Sequence, residues 1–315
     1  MEREQLKSKM RIPGVERGDG FFNRILIRFI SKVSGMRLPD AARIVMYHKN
    51  FYGAPMTAWT HAAMRGKSGW TVGERELMAA LTAKWNACPF CVDAHGAIAS
   101  LELGNPVVNA ALADTKQSTL SKKLQATTAF LENLTLHPDK IDMPDIQSVL
   151  ESGVTHEELE DAIAVSTLFN ITARCANAFN FALLNKTDSE KAAKRMLVQG
   201  YMFGKKGIPE HPDHYLMAQT LRQRIFERPG ITNSSLREAI GKRAIGSTSI
   251  ESPYNEMALL IGEASYKVTD AQVMDVIKKA GSDKAAFEIM ISAAVSAGLY
   301  RWDTATKILR ETVNN

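Results

Sequence analysis

The chain has 315 residues, 45% of them hydrophobic, and its 39 basic and 34 acidic side chains leave a net charge of +5. Charges of both signs are interspersed along the sequence, so no basic face or tail offers a footprint for nucleic acid. Three cysteines, two of them in one motif and Cys175 alone in apolar surroundings, do not make a secreted disulfide framework, and a reducing, cytoplasmic compartment is expected.

In chain order, the first candidate element is the stretch FFNRILIRFISKV, apolar but interrupted by Arg24 and Arg28. No uncharged run of membrane-spanning length follows it and no small-residue cleavage signature appears, so neither a signal peptide nor a membrane span is expected. It reads as an amphipathic helix that packs on the protein body, in preference to a membrane-surface anchor. Period-3.6 patterning recurs beyond it while period-2 alternation is almost absent, which predicts an all-α fold. Thr71 and Glu74 have capping-box spacing ahead of a helix that stops near Asn86. Pro89 suits the first position of a second helix running to Leu103, with Gly104 just past its end. Further helices are expected over SKKLQATTAFLENL, over PDIQSVLES closed by Gly153, and from His156 to about Leu184 behind a cap of Thr155 with Glu158.

The polar stretch NKTDSEKAAKR marks a boundary near residue 188, giving lobes 1–188 and 189–315. Shifting by 164 residues lays SPYNEMALL (252–260) on CPFCVDAHG (88–96), Pro253 on Pro89, Tyr254 on Phe90 and Glu238 on Glu74. GSDKAAFEIMISAAVSAGLYR likewise aligns with GVTHEELEDAIAVSTLFNITAR, so the second lobe reads as a degenerate copy of the first. Ser252, Asn255 and Leu259 stand in it where Cys88, Cys91 and His95 stand in the first lobe.

Those three residues carry the chemistry. On a helix, Cys88, Cys91 and His95 fall along one stripe, which sets an imidazole beside a thiol. A helix start and a neighbouring imidazolium both favour thiolate, and a thiol pair can attack a peroxide or a disulfide and resolve the product internally. Glu76, on the preceding helix, can face His95 and accept its proton directly or through one water. The alternatives have definite requirements. Structural zinc needs a fourth ligand and usually a second paired knuckle, whereas His48, His61, His137 and His156 are scattered singles; covalent haem needs a histidine where Val92 stands. Cys88 and Cys91 could instead be small buried hydrophobes beside a satisfied core histidine. Trp59, Trp70, Trp85 and Phe90 could wall a pocket for an organic peroxide or simply fill helix interfaces.

The segment GERELMAALTAKWNACPFCVDAHG resembles the core of the carboxymuconolactone decarboxylase and alkyl hydroperoxidase D-like superfamily. That family's pattern is a glutamate, about a dozen residues, then Cys-x-x-Cys-x-x-x-His, matched here by Glu76, Cys88, Cys91 and His95; TLFNITARCANAF (167–179) is similar to the family's next helix. The resemblance covers about residues 40 to 185. It implies an alkyl hydroperoxidase D-like helical bundle, a homo-oligomer formed through helix packing, and a thiol peroxidase or disulfide reductase. By that resemblance Cys91 attacks and Cys88 resolves from an exposed helix start, or the two exchange these roles as in thioredoxin-like proteins, which attack with the N-terminal cysteine; His95 moves the proton and Glu76 orients or charges His95. No bound cofactor or metal is implied, because electrons come from an external thiol or dithiol such as a thioredoxin-like protein or a lipoyl domain. Phe90 departs from the pattern of peroxidase members that carry a histidine before the second cysteine, which removes one proton carrier. The decarboxylase branch generally works without the cysteine pair and is the weaker inheritance. The non-enzymatic alternative is a helical interaction module that kept the fold.

Overall fold

The computed structural model describes residues 10–115, 119–202 and 210–312. Among them every regular element is helical and no strand occurs. The α-helices are α1 (Pro13–Arg17), α2 (Gly20–Ser34), α3 (Asp40–Tyr47), α4 (Ala54–Arg65), α5 (Val72–Trp85), α6 (Pro89–Leu103), α7 (Asn105–Ala113) and α8 (Lys122–Leu136). They continue as α9 (Met143–Glu151), α10 (His156–Phe179), α11 (Lys186–Gln199), α12 (His214–Arg222), α13 (Ser234–Ala244), α14 (Tyr254–Ala264), α15 (Asp270–Ala280) and α16 (Asp283–Glu311).

The capping box at Thr71 and Glu74 is present, with the Thr71 N–H donating to Glu74 at 2.8 Å and the Glu74 N–H donating to Thr71 Oγ1 at 3.2 Å. Thr155 and Glu158 cap α10 in the same way, at 2.8 and 3.1 Å. That helix ends at Phe179 rather than near Leu184. Asn180 takes a left-handed φ of 60°, and the Phe181 N–H turns back to the Ala176 carbonyl at 2.9 Å. Asparagine tolerates this conformation better than other residues with a Cβ, so it can stop a helix that its apolar neighbours would continue.

The helices fall into two units. One comprises Ala58–Asn170, Ser189–Leu216 and the chain from Gly298 on; the other comprises the chain up to Thr57, Ile171–Asp188 and Met217–Ala297. The polar stretch around residue 188 is helical as part of α11, and one of the places where the chain passes between units lies at Asp188 and Ser189. In the first unit α5 is the central element, since Arg75 through Ala83 are all buried. A helix buried on every side needs few charges and small side chains, and the sequence LMAALTA meets that demand. α5 packs extensively against α6.

Each unit contains the same pair of polar devices. In the first, Arg75 on α5 donates to the carbonyls of Ala63 and Gly66, both at 2.9 Å, closing the end of α4. In the second, Arg237 on α13 donates to the carbonyls of Ile225 and Arg228 at 2.6 and 2.5 Å. The sixth residue of each long helix is a buried carboxylate that takes donors from the loop after those carbonyls. Asp161 on α10 accepts from Ser68 Oγ at 2.5 Å, and Glu288 on α16 accepts from the backbone N–H groups of Ile231 and Thr232 at 2.8 and 2.7 Å. Arg237 matches Arg75 at a shift of 162, two residues from the register that aligns the Cys-Pro and Ser-Pro segments, because the connection from α13 to α14 is longer. At the shift of 162 Glu238 corresponds to Glu76 rather than to Glu74, and Glu238 is exposed.

Glu288 also accepts from His48 Nε2 at 3.0 Å and from Thr232 Oγ1 at 2.6 Å. Burial pushes this carboxyl up, but the hydrogen bonds from His48, Thr232 and Ile231 outweigh it and bring its pKa down to about 2. A depressed carboxylate stabilises the folded state above its ordinary pKa, and that contribution is lost as pH falls from 4.5 towards 2. Urea titrations across that window should show stability falling with pH in the wild type. Glu288→Gln should be less stable at pH 7 and have a shallower acid dependence.

Candidate active site

α5 ends at Trp85 because the next residues complete a left-handed cap. Ala87 has φ 49°, its N–H donates to the Lys84 carbonyl at 2.9 Å, and the Cys88 N–H donates to the Ala83 carbonyl at 2.9 Å. These are the two bonds of a Schellman turn, with alanine at the position that favours glycine. The Asn86 amide fastens the turn by donating to the Thr82 carbonyl at 2.8 Å and to Asn170 Oδ1 at 3.1 Å. Cys88 thereby becomes the N-cap of α6, and Pro89 occupies a first-turn position where its missing N–H leaves no bond unmade.

α6 packs back along α5 and carries His95 to Glu76. The Glu76 side chain is fully buried, and its carboxylate lies 2.7 Å from His95 Nδ1, 2.8 Å from Arg65 Nη2, and 3.1 and 3.2 Å from the Tyr201 hydroxyl. Burial pushes this carboxyl up; the hydrogen bond and charge of His95, with those of Arg65, outweigh burial and hold it below the usual carboxylate range. An ionised carboxylate only accepts, so His95 carries its proton on Nδ1, and the neutral ring keeps Nε2 as its basic position. Phe169 meets the imidazole edge-on with ring centres 4.3 Å apart, which restricts its rotation. The Phe-Asn pair 169–170 thus serves the site twice, Phe169 at the imidazole and Asn170 at the turn before Cys88.

Cys91 precedes His95 by one helical turn. Cys88 and Cys91 are unbridged and only 1% and 0% exposed. The expectation that Cys88 sits at an exposed helix start is therefore corrected. Ala87 and Pro89 are exposed, but the turn between α5 and α6 directs the side chain between them inward.

Tyr201 and Arg65 belong to the site and were not anticipated from the sequence. The hydroxyl of half-buried Tyr201 also lies 3.3 Å from His95 Nδ1, its ring is stacked with the imidazole, and the Arg65 guanidinium lies 5.2 Å over its ring centre. Burial and the Glu76 charge push the hydroxyl well above its ordinary pKa and outweigh the opposing Arg65 charge, so Tyr201 acts as a neutral donor. Gly200 positions it. Gly200 ends α11 with φ 65°, a Cβ there would lie 2.9 Å from the His61 ring, and His61 Nδ1 accepts the Tyr201 N–H at 3.3 Å. A glycine after a polar helix was the one available signal, and nothing in it points to Glu76, 125 residues earlier.

A second polar cluster lies elsewhere in the same unit. Asp161, His211 and His214 bring three ligand-type atoms within 4.8 Å of one another, the histidines through the His-x-x-His spacing of residues 211–214. Asp161 Oδ1 lies 2.7 Å from His211 Nε2 and 3.0 Å from His214 Nε2. Trp59 Nε1–H donates to His214 Nδ1 at 3.1 Å, so neutral His214 holds its proton on Nε2 and directs it to Asp161. A cation at Nε2 would move that proton to Nδ1, against the Trp59 donor. The arrangement therefore suits a hydrogen-bond network better than a metal centre. Trp59 itself packs edge-on against Trp302, and Trp70 Nε1 donates to the Glu158 carbonyl at 2.7 Å, so both act at helix interfaces. His211 also lines an open cleft of about 500 Å³ with Glu157, Glu160 and Arg310, in which burial raises Glu160 to about 7.

No family model and no curated protein matches this chain. Among solved structures it is similar to the alkylhydroperoxidase AhpD core of an uncharacterized peroxidase-related protein from Ralstonia eutropha JMP134, at 23% identity and a TM-score of 0.46, covering 54% of this chain and 88% of that one. It is also similar to an uncharacterized peroxidase-related protein from Silicibacter sp. TM1040, at 21% identity and a TM-score of 0.46, covering 53% and 86%.

Substitutions at the turn and beside Glu76 should differ in their effect on stability. Ala87→Gly relieves the left-handed strain at the turn and should leave stability unchanged or raise it by up to about 1 kcal/mol in urea denaturation. Tyr201→Phe removes a donor from a buried carboxylate and should cost about 1–2 kcal/mol. Gly200→Ala should reproduce that loss by displacing the tyrosine.

Proposed function

We propose that the chain is a thiol-dependent oxidoreductase that reduces hydroperoxides, or the disulfide of a partner, through Cys91 and Cys88. The observation that carries this reading is the buried His95–Glu76 contact of 2.7 Å, with Cys91 one turn before the histidine. Cys91 gives its thiol proton to Nε2 of His95, and the thiolate attacks the terminal oxygen of ROOH; the S–O bond forms as the O–O bond breaks, and the alkoxide leaves as ROH with that proton from His95. Cys91 is left as a sulfenic acid. The Cys88 sulfur then attacks it, forming the disulfide and releasing water. An external dithiol, from a thioredoxin-like protein or a lipoyl domain, reduces that disulfide and is itself oxidised. The sum is ROOH plus dithiol giving ROH, water and the donor's disulfide.

In this reading Glu76 stabilises the imidazolium form of His95. Tyr201 and Arg65 are positioning residues that hold Glu76, and Tyr201 sits at the imidazole of a site that has Phe90 between its cysteines. The protein works as a homo-oligomer in a reducing cytoplasm and needs no bound cofactor or metal. The second unit is a relative of the first without its chemistry, with Ser252, Asn255 and Leu259 in place of the redox residues. A second reading, a helical interaction module without turnover, is favoured by the burial of both sulfurs.

Thiol chemistry separates the two. Under the redox reading, mild hydroperoxide converts Cys88 and Cys91 to an internal disulfide, read by mass spectrometry, and Cys91→Ser abolishes peroxide consumption with a dithiol donor. Cys88→Ser should instead accumulate the sulfenic acid. Tyr201→Phe should shift the pH profile of turnover while leaving disulfide formation possible. Thiols that neither oxidise nor alkylate at neutral pH would establish the module reading.

A further inference from the structure

The N-terminal helix does not pack as its sequence suggests. α2 is held to its own unit by one side only. Ile27 is buried against Gly18, where a Cβ would lie 2.8 Å from the Ile27 side chain, and Asn23 donates to the Met46 carbonyl at 3.4 Å. Before the helix, Lys284 pairs with Asp19 at 2.7 Å; near its end, Ser31 Oγ accepts from the Leu38 N–H at 3.1 Å. The other side carries Phe22, Phe29 and Val33 at 85%, 62% and 71% exposure, flanked by Ile25 and Leu26 at 47% and 43%. At 3.6 residues per turn these five side chains fall within an arc of about 100°, opposite Ile27. The expectation of an amphipathic helix whose apolar face packs on the body is corrected: the anchoring side is narrow and polar at its ends, and most of the apolar side chains face outward.

The charges beside that arc identify its occupant. Arg24, Arg28 and Lys32 follow one another at four-residue spacing along one flank, all exposed, and form no ion pair among the described residues. No acidic residue lies between Asp19 and Asp40, and the next cation, Arg37, is already taken by Glu16 and Asp40 at 2.8 and 2.7 Å. Pairing with α2 of a second copy would bury the phenylalanines, but the helix would bring no carboxylate to meet the other copy's cations. Phenylalanines and aliphatics on one face with a row of unpaired cations alongside are the pattern of a helix lying in the plane of an anionic membrane surface. We infer that α2 is a membrane-surface docking helix that inserts Phe22, Phe29 and Val33 among acyl chains while Arg24, Arg28 and Lys32 meet anionic headgroups. Its length and charges rule out spanning, and no described helix is long and apolar enough to cross a membrane. The inference is independent of the thiol chemistry.

Co-sedimentation of the full chain with vesicles of equal parts phosphatidylglycerol and phosphatidylcholine tests it. The wild type should bind these vesicles and release from them in high salt, with much weaker binding to pure phosphatidylcholine. Arg28→Gln should weaken binding about fivefold. Phe22→Ser and Phe29→Ser, both at exposed positions, should each weaken it roughly tenfold or more, with unchanged circular dichroism as the check on folding. Failure of the wild type to bind anionic vesicles overturns the proposal, and so does binding that survives both phenylalanine substitutions. If, instead, lipid-free protein sediments as an oligomer that the same substitutions dissociate, and no vesicle binding occurs, the face belongs to a second copy and the proposal is likewise overturned.

Discussion

The ionised carboxylate of Glu76 is the constraint on which the candidate site depends. A charge removed from water is tolerated only when partners replace its solvation, and deleting the charged partner of a buried ion pair costs about 3–5 kcal/mol. Glu76 has three partners from three separate stretches of chain: Arg65 from α4, His95 from α6 and Tyr201 from just beyond α11. Meeting that requirement draws the helices together around α5. It also sets the tautomer of His95, because a carboxylate leaves the imidazole no choice but to donate from Nδ1. Structure and chemistry therefore share one cause here, and the group that would assist a thiol is also the group that holds the bundle's polar centre.

The two units use comparable polar devices for different ends. A buried arginine closing a helix end and a buried carboxylate collecting loop donors appear in each, as Arg75 with Asp161 and as Arg237 with Glu288. These are solutions to the general problem of ending a helix inside a protein without leaving backbone groups unpaired. A carboxylate buried in the middle of the hairpin, facing a histidine on the next helix, occurs at Glu76, whereas the corresponding Glu238 is in solvent. The helix-ending devices are common to both units, while among the described residues a carboxylate facing a histidine on the very next helix is found at Glu76; in the other unit the buried Glu288 meets His48 from the N-terminal part of the chain.

Legibility in the sequence followed the range of each interaction. Local rules carried the helix starts at Thr71 and Thr155, Pro89 at the head of α6 and Gly104 at its end, because caps are settled among residues three or four apart. The stop at Phe179 was missed because Asn180, a weaker signal than glycine, supplies the left-handed turn. The depth of Cys88 was missed because its exposed neighbours, Ala87 and Pro89, say nothing about the direction of the side chain between them. The outward face of α2 was missed because an amphipathic pattern specifies that one face is apolar, and what covers that face depends on the rest of the molecule.

By itself, the sequence determined the all-helical architecture and the spacing of Cys88, Cys91 and His95 on one helix behind a helix bearing Glu76, since periodicity, caps and i to i+4 geometry are written in consecutive residues. Only the tertiary structure decided that Arg65 and Tyr201 close around Glu76, that Asp161 gathers His211 and His214, and that the phenylalanines of α2 face away from the body. Those outcomes join residues far apart in the chain, or leave them unjoined. They follow from how charge and apolar surface are shared out on folding, which no local pattern records.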